Sequence, residues 1–205
     1  DISVMLYEKM YNTKVIDLGC LPHPNYDYLA ASPDGLVVGE VNNGRLLEIK
    51  NVVSREITQI PKMDYWIQMQ LQMEVCDLDE CDFLETKFIE INSYNEFIEY
   101  NEGKKGIIMT FIVDGTKLVH KYNDIDNMEK DYIDNFMDEN MKESENSTNI
   151  VWVKNTYWKL EKFSCIFVPR NKKWFEHSIS KIKNVWDIIQ YERNKKDGPN
   201  IDLYK

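Results

Sequence analysis

The sequence has no C-x-x-C pair and only three histidines, which removes the spacings from which structural zinc sites are built. Its four cysteines, Cys20, Cys76, Cys81 and Cys165, are scattered and read as reduced, buried thiols of an intracellular, reducing compartment. No stretch of about eighteen apolar residues occurs, nor a charged-then-apolar leader with a cleavage site, so neither membrane insertion nor secretion is expected. Internal repeats and low-complexity blocks are also missing. The first residue is Asp1 rather than Met, so a natural N-terminus upstream is expected.

What is present is core material. Apolar residues make up 43% of 205 positions, with twelve Tyr, eight Phe and five Trp, which excludes a disordered chain or a small stapled scaffold. The net charge of −10 would by itself argue against a nucleic-acid partner, but it is unevenly spread. From Trp152 onward twelve Lys/Arg face six Asp/Glu, a net of +6, whereas residues 1–151 carry −16. A chain polarised in this way can meet an anion with one surface.

Along the chain, apolar spacing predicts an amphipathic helix over 2–12, a short strand over 14–18, and a turn-rich segment over 19–27. Two apolar runs, 28–31 and 36–38, are split by Ser32-Pro33-Asp34-Gly35, and Asn42-Asn43-Gly44 reads as a hairpin loop before a strand over 45–53. A helix is expected over 63–75, a half-buried strand over 81–91, and a hairpin from 107–113 and 118–122. An acidic helix over 127–141 follows, then a polar linker or loop at 142–149, one or two strands over 158–169, and a basic helix over 172–193. The expected architecture is α/β: a core over 1–141 and a basic extension over 150–205 packed on it.

The chemistry concentrates in Asp34 and in Glu48-Ile49-Lys50. Side chains on a strand alternate, so Glu48 and Lys50 share a face while Leu47 and Ile49 turn to the core. A hairpin through 42–44 brings Asp34 beside Glu48. Two carboxylates and an ammonium on one face suit phosphodiester hydrolysis: hard oxygens hold Mg²⁺, the ion acidifies water, and a lysine orients that water or neutralises the phosphate. The Ile49 carbonyl is a further candidate ligand. Each feature has a plainer reading, since Pro-Asp-Gly is a common turn and Glu-x-Lys an ordinary solvated strand face.

Three ordered motifs, SPDG (32–35), LLEIKNV (46–52) and YWIQMQLQMEV (65–75), closely resemble the lambda-exonuclease-like, YqaJ-type viral recombinases of the PD-(D/E)XK nuclease superfamily. The resemblance covers residues 1–90, with His23-Pro24 before the turn and a weaker similarity over 157–175. It implies a restriction-endonuclease-like core, a central mixed β-sheet flanked by helices with a C-terminal α/β elaboration. It also implies a metal-dependent DNA nuclease, a 5′–3′ exonuclease on duplex ends serving viral recombination, repair or genome processing. Asp34 and Glu48 become metal ligands for one or two Mg²⁺ (Mn²⁺ the alternative), Lys50 the catalytic lysine, and Gln68 the glutamine near the active site. Ser32, Gln72, Lys172, Lys173, Lys181 and Lys183 are candidate DNA contacts. The plainer reading of the glutamines, Gln70 included, is an amide network between helix and sheet, and His23 reads as a structural turn residue.

The family's first-helix glutamate would fall at or before Asp1, and Glu8 lies too far along the helix to replace it. The resemblance further implies a ring-shaped homotrimer, a single-strand annealing partner, and a host cytoplasm or viral factory as location. Two other classes compete: a catalytically inactive nuclease-fold module that binds DNA or a protein, and a hydrolase of RNA or another phosphoester. Intact Asp34, Glu48 and Lys50 speak against the first, and a substrate panel separates the second.

Overall fold

A computed structural model of the chain describes residues 2–195. Five helices and nine strands follow in the order α1 (Ile2–Tyr11), β1 (Lys14–Ile16), β2 (Leu21–Pro22), β3 (Ala30–Ala31), β4 (Gly35–Val38), β5 (Leu46–Asn51), α2 (Met63–Cys76), β6 (Glu80–Ile91), α3 (Tyr94–Glu99), β7 (Lys105–Val113), β8 (Lys117–Tyr122), α4 (Lys130–Glu145), β9 (Ile150–Pro169) and α5 (Lys172–Arg193). Seven strands hydrogen-bond in the order β1-β4-β5-β6-β9-β7-β8, and β2-β3 form a separate antiparallel pair. The pairs β1/β4, β4/β5, β7/β8 and β7/β9 are antiparallel. Contacts from β5 to β6 advance together along both strands, Arg45 to Asp82 and then the Val52 amide to the Thr86 carbonyl, which is parallel pairing with α2 as the crossover. The sheet is therefore mixed, and the α/β class expected from the sequence is the one observed.

The chain forms two compact units that interleave in sequence. Among the described residues, the first holds Lys14–Glu48, Ile60–Phe83 and 166–195. Its hairpin turns where the sequence said it would: Asn42 and Gly44 take positive φ (57° and 82°), and Val37 exchanges backbone bonds with Gly44 and Arg45. Leu46, Met69, Met73, Cys81, Phe83 and Val168 form the core of this unit. Met69 and Met73 are one helical turn apart, which fixes the face that α2 buries. Truncating either to Ala costs about 2–5 kcal/mol. Asp77 ends α2 in the left-handed region, its amide bonding back to the last turn. Asn171 caps α5, its side chain accepting from the Trp174 amide. The buried Arg170 guanidinium clamps Glu74 at 2.7 Å and Asp77 at 2.9 Å, which holds the Asp77 carboxyl below the usual range.

The second unit runs through Thr13 and holds Ile49–Gln59 and Leu84–Cys165. Ile2 and Leu6 of α1 pack with Ile125 and Trp158. The Ser3 hydroxyl donates to Asn51 and contacts Thr86, tying α1 to β5 and β6. A larger core gathers Ile91, Phe97, Ile107, Met109, Phe111 and Ile133. The β7–β8 hairpin closes through Asp114 and Gly115, both at positive φ, and β7 pairs with β9 through a register shift at Thr110/Phe111.

Four expectations need correction. β6 is not half-buried: every residue from Cys81 to Thr86 is buried, because sheet neighbours and packing cover both faces. β9 is a single strand of 20 residues that begins at Ile150, well ahead of the expected start at Trp158. α4 continues through Lys142–Glu145, so the polar segment 142–149 is helical over its first half, its Ser144 hydroxyl bonding the Ile150 carbonyl. The cysteines are all free, but only Cys81 is buried; Cys20 is exposed, and burial pushes the Cys76 thiol up. Helix α3 was not anticipated, although Ser93 and Glu96 carry the S-x-x-E start signal and Ser93 accepts from the Glu96 amide. Among the described residues no helix is long and apolar enough to cross a membrane.

Candidate active site

The site grows from the β4–β5 hairpin. Gly35 pairs with Leu47 and Leu36 with Leu46, so the same register continued by one residue sets Asp34 across from Glu48. Directly opposed residues of an antiparallel pair share a face. Asp34 is exposed in the bend before β4, whereas Glu48 is 1% exposed. Gly35 is required here for space: a Cβ would collide with the Val15 side chain of the neighbouring strand.

A buried carboxylate needs hydrogen bonds to stay charged. Gln72 supplies one, its Nε2 donating to Glu48 Oε2 at 2.7 Å. The same Nε2 lies 3.5 Å from the Ser32 carbonyl, at the limit of a bond. Gln72 is itself buried, and its Oε1 has no hydrogen-bond partner among the described residues. Gln68 lies one turn earlier on the same helical face, half-buried. Gln70 points elsewhere: its Nε2 donates to the Pro169 carbonyl at 3.0 Å and its Oε1 accepts from the Asn171 amide at 2.6 Å. Of the three glutamines, then, the structure bonds Gln72 to the carboxylate and uses Gln70 as a structural amide.

Lys50 is two residues beyond Glu48 on β5, half-buried, and the pleat turns it to the face Glu48 occupies. Leu46 faces the same way and is fully buried beneath α2, so this face is apolar at one end and charged at the other. Ser32 is exposed beside the turn. His23 is buried, with Nδ1 accepting from the Asn25 amide at 3.0 Å, Nε2 3.7 Å from Glu74, and the ring stacked on Phe175. These contacts describe a residue that holds the β2–β3 turn.

On α5, Lys172 pairs with Asp79 at 3.1 Å and Lys183 with Asp187, while Lys173 and Lys181 are exposed. Trp174 packs edge-on against Trp66, and Trp186 stacks on Tyr28 with the Lys183 ammonium over the Tyr28 ring. Asp1, at or before which the family's first-helix glutamate would fall, and 196–205 of the C-terminal extension lie outside the described residues.

No group of three or more His, Cys, Asp or Glu side chains is gathered for a metal among the described residues. The donor set expected from the sequence is different: two carboxylates, Asp34 and Glu48, and the Ile49 carbonyl. All three are hard oxygens of the kind Mg²⁺ prefers, and the unsatisfied Gln72 Oε1 adds a buried oxygen beside Glu48. These residues fit a hard divalent cation.

Residues 1–79, the stretch that holds SPDG, the Glu48-Ile49-Lys50 strand and the glutamine helix, match the YqaJ-like viral recombinase domain family. The chain is 26% identical over 249 aligned residues to an uncharacterized protein, R354, of Acanthamoeba polyphaga mimivirus. That alignment covers 96% of this chain and 43% of the relative, so the chain spans less than half the relative's length. Among solved structures, an alkaline exonuclease (LHK-Exo) from Laribacter hongkongensis matches with 23% identity and a TM-score of 0.35, covering 67% of this chain and 62% of that one. Its complex with dAMP matches with 20% identity and a TM-score of 0.33, at the same coverage.

Proposed function

We propose that this chain is a metal-dependent DNA nuclease that hydrolyses phosphodiester bonds, acting as a 5′–3′ exonuclease on duplex ends. The observation that carries the reading is the buried Glu48 carboxylate, oriented by Gln72 and set in register with Asp34. A carboxylate 1% exposed is costly to keep unless its charge is used or compensated.

Asp34, Glu48 and the Ile49 carbonyl would hold Mg²⁺, with Mn²⁺ as the alternative and one or two ions in place. When bound, the metal neutralises charge on the scissile phosphate and makes its water more acidic. Gln72 keeps the Glu48 carboxylate turned toward the site. Lys50 holds the attacking water or the phosphate oxygen that gains charge as the bond breaks. Gln68, one turn from Gln72, contacts Lys50 or the substrate. Ser32 and the exposed lysines of α5, Lys173 and Lys181 first, meet backbone phosphates, with Lys172 and Lys183 exchanging their carboxylate partners for the same purpose.

In this reading duplex DNA ends are the substrate and a single-strand annealing protein receives the product strand. A homotrimeric ring, work in recombination, repair or genome processing, and a viral factory or host cytoplasm as location complete it. The mimivirus relative supports a viral setting.

The test is degradation of end-labelled linear duplex, closed circular duplex and single-stranded DNA with Mg²⁺, with EDTA and Lys50→Ala as controls. The expected result is metal-dependent loss of linear duplex, spared circles and an inactive variant, the label giving the polarity. Absence of cleavage on every DNA, with binding retained, replaces this reading with a nuclease-fold binding module; cleavage of RNA alone replaces the substrate.

A further inference from the structure

A second buried carboxylate stands apart from the residues assigned so far. Glu85 of β6 is 2% exposed and accepts from the Arg55 Nη2 through Oε1, while its Oε2 is buried with no hydrogen-bond partner among the described residues. Its direction follows from its neighbours. The Asn51 and Thr86 side chains bond each other and both reach Ser3 of α1, so they share one face of the sheet. Lys50 and Glu85 each precede one of that pair, and strand alternation turns both to the opposite face. Glu85 is therefore the carboxylate beside Lys50 on the neighbouring strand.

Arg55 occupies the loop that leaves β5, in a stretch without regular secondary structure where Val53 is 88% exposed. Its side chain is one-quarter exposed, and its guanidinium is fixed from two directions, by Glu85 and by the Glu56 carbonyl, which accepts from Nη1 at 3.2 Å. A tie serving stability alone would not need a buried carboxylate with one oxygen unsatisfied, since an apolar pair of similar volume does as well or better. A guanidinium held in one plane at a surface, on the side of the sheet that carries Lys50, is instead a fork for a phosphate.

We propose that Arg55 contacts a backbone phosphate of the bound DNA next to the one Lys50 serves, and that Glu85 is the positioning residue that holds its guanidinium there. The assignment rests on the nuclease reading above.

Its test is the salt dependence of binding rather than cleavage. Affinity for a fluorescent duplex is measured by anisotropy with Ca²⁺ replacing Mg²⁺, between about 50 and 200 mM salt. Loss of one phosphate contact makes the slope of log affinity against log salt shallower by about 0.9. Arg55→Ala should show that change and bind roughly tenfold more weakly at the low-salt end, a loss of about 1.4 kcal/mol. Arg55→Lys should keep the wild-type slope, and Glu85→Gln should weaken binding with Arg55 still in place. If Arg55→Ala fails to fold because Glu85 is left buried without its partner, Arg55→Ala/Glu85→Gln removes the stranded charge and carries the same slope comparison. An unchanged slope in a folded Arg55→Ala or double variant, with wild type still binding and cutting DNA, overturns this assignment alone. A wild-type protein that binds no DNA at any salt overturns the nuclease reading and this inference together.

Discussion

The Gln72 amide donates to the Glu48 carboxylate at 2.7 Å, and both side chains are buried. Gln72→Ala leaves that carboxylate short of a donor and should lower stability by about 1–3 kcal/mol, read from urea unfolding. On the nuclease reading it also lowers kcat by roughly 10- to 100-fold with KM little changed, because a misoriented ligand affects chemistry more than binding. Unaltered kcat in the folded variant would show that the amide merely fills space.

Asp34 is exposed, so replacing it should separate chemistry from folding. Asp34→Asn is expected to keep the wild-type melting temperature, within about 0.5 kcal/mol of stability. DNA hydrolysis should fall at least about 10²-fold. A folded Asp34→Asn protein that cuts at the wild-type rate would remove Asp34 from the site.

Gly35 opens β4, and a methyl group there meets the Val15 side chain of β1. Gly35→Ala should destabilise the protein by about 1–3 kcal/mol. The double variant Gly35→Ala/Val15→Ala, which opens the space again, should recover part of the loss. Thermal melts of the four proteins in this cycle measure the coupling.

Lys105 is buried, its ammonium donating to the Phe97 and Ile98 carbonyls at the end of α3 and lying over the Phe97 ring. Burial lowers its pKa below the ordinary 10.5. The unfolded chain then holds the proton more tightly than the folded one, so this residue makes stability rise with pH between its folded pKa and 10.5. Lys105→Met removes that contribution. Wild type should gain stability relative to the variant as pH rises from neutrality toward 10.5, and parallel pH profiles would mean that Lys105 is not perturbed.

Much of the candidate site's geometry was legible because it is local. Asn42-Asn43-Gly44 dictates a tight turn, the turn dictates the register, and the register sets Asp34 across from Glu48. Which glutamine meets Glu48 was not legible, since it depends on how α2 is rotated over the strand; Met69 and Met73 set that rotation through the core they fill. Glu85 falls in the strand over 81–91 whose pattern predicts half-burial, and its full burial was not legible there. Its partner, Arg55, is thirty residues away, and nothing in the local pattern announces it. The continuity of β9 was also hidden, because its exposed Val151, Trp152 and Val153 break the usual link between apolar residues and burial.

Gln70 gives the β9–α5 junction a property of its own. A primary amide presents a donor and an acceptor much as a peptide unit does, and Gln70 applies them to the Pro169 carbonyl and the Asn171 amide. The helix thereby ends the strand in the way a further strand would, with one side chain imitating a backbone. Such a mimic recognises a fixed chain length: one residue inserted between Pro169 and Asn171 puts the acceptor and the donor it bonds out of step. The junction leading into the basic helix is thus gauged, to within a single peptide, by a helix that also carries the amide on Glu48.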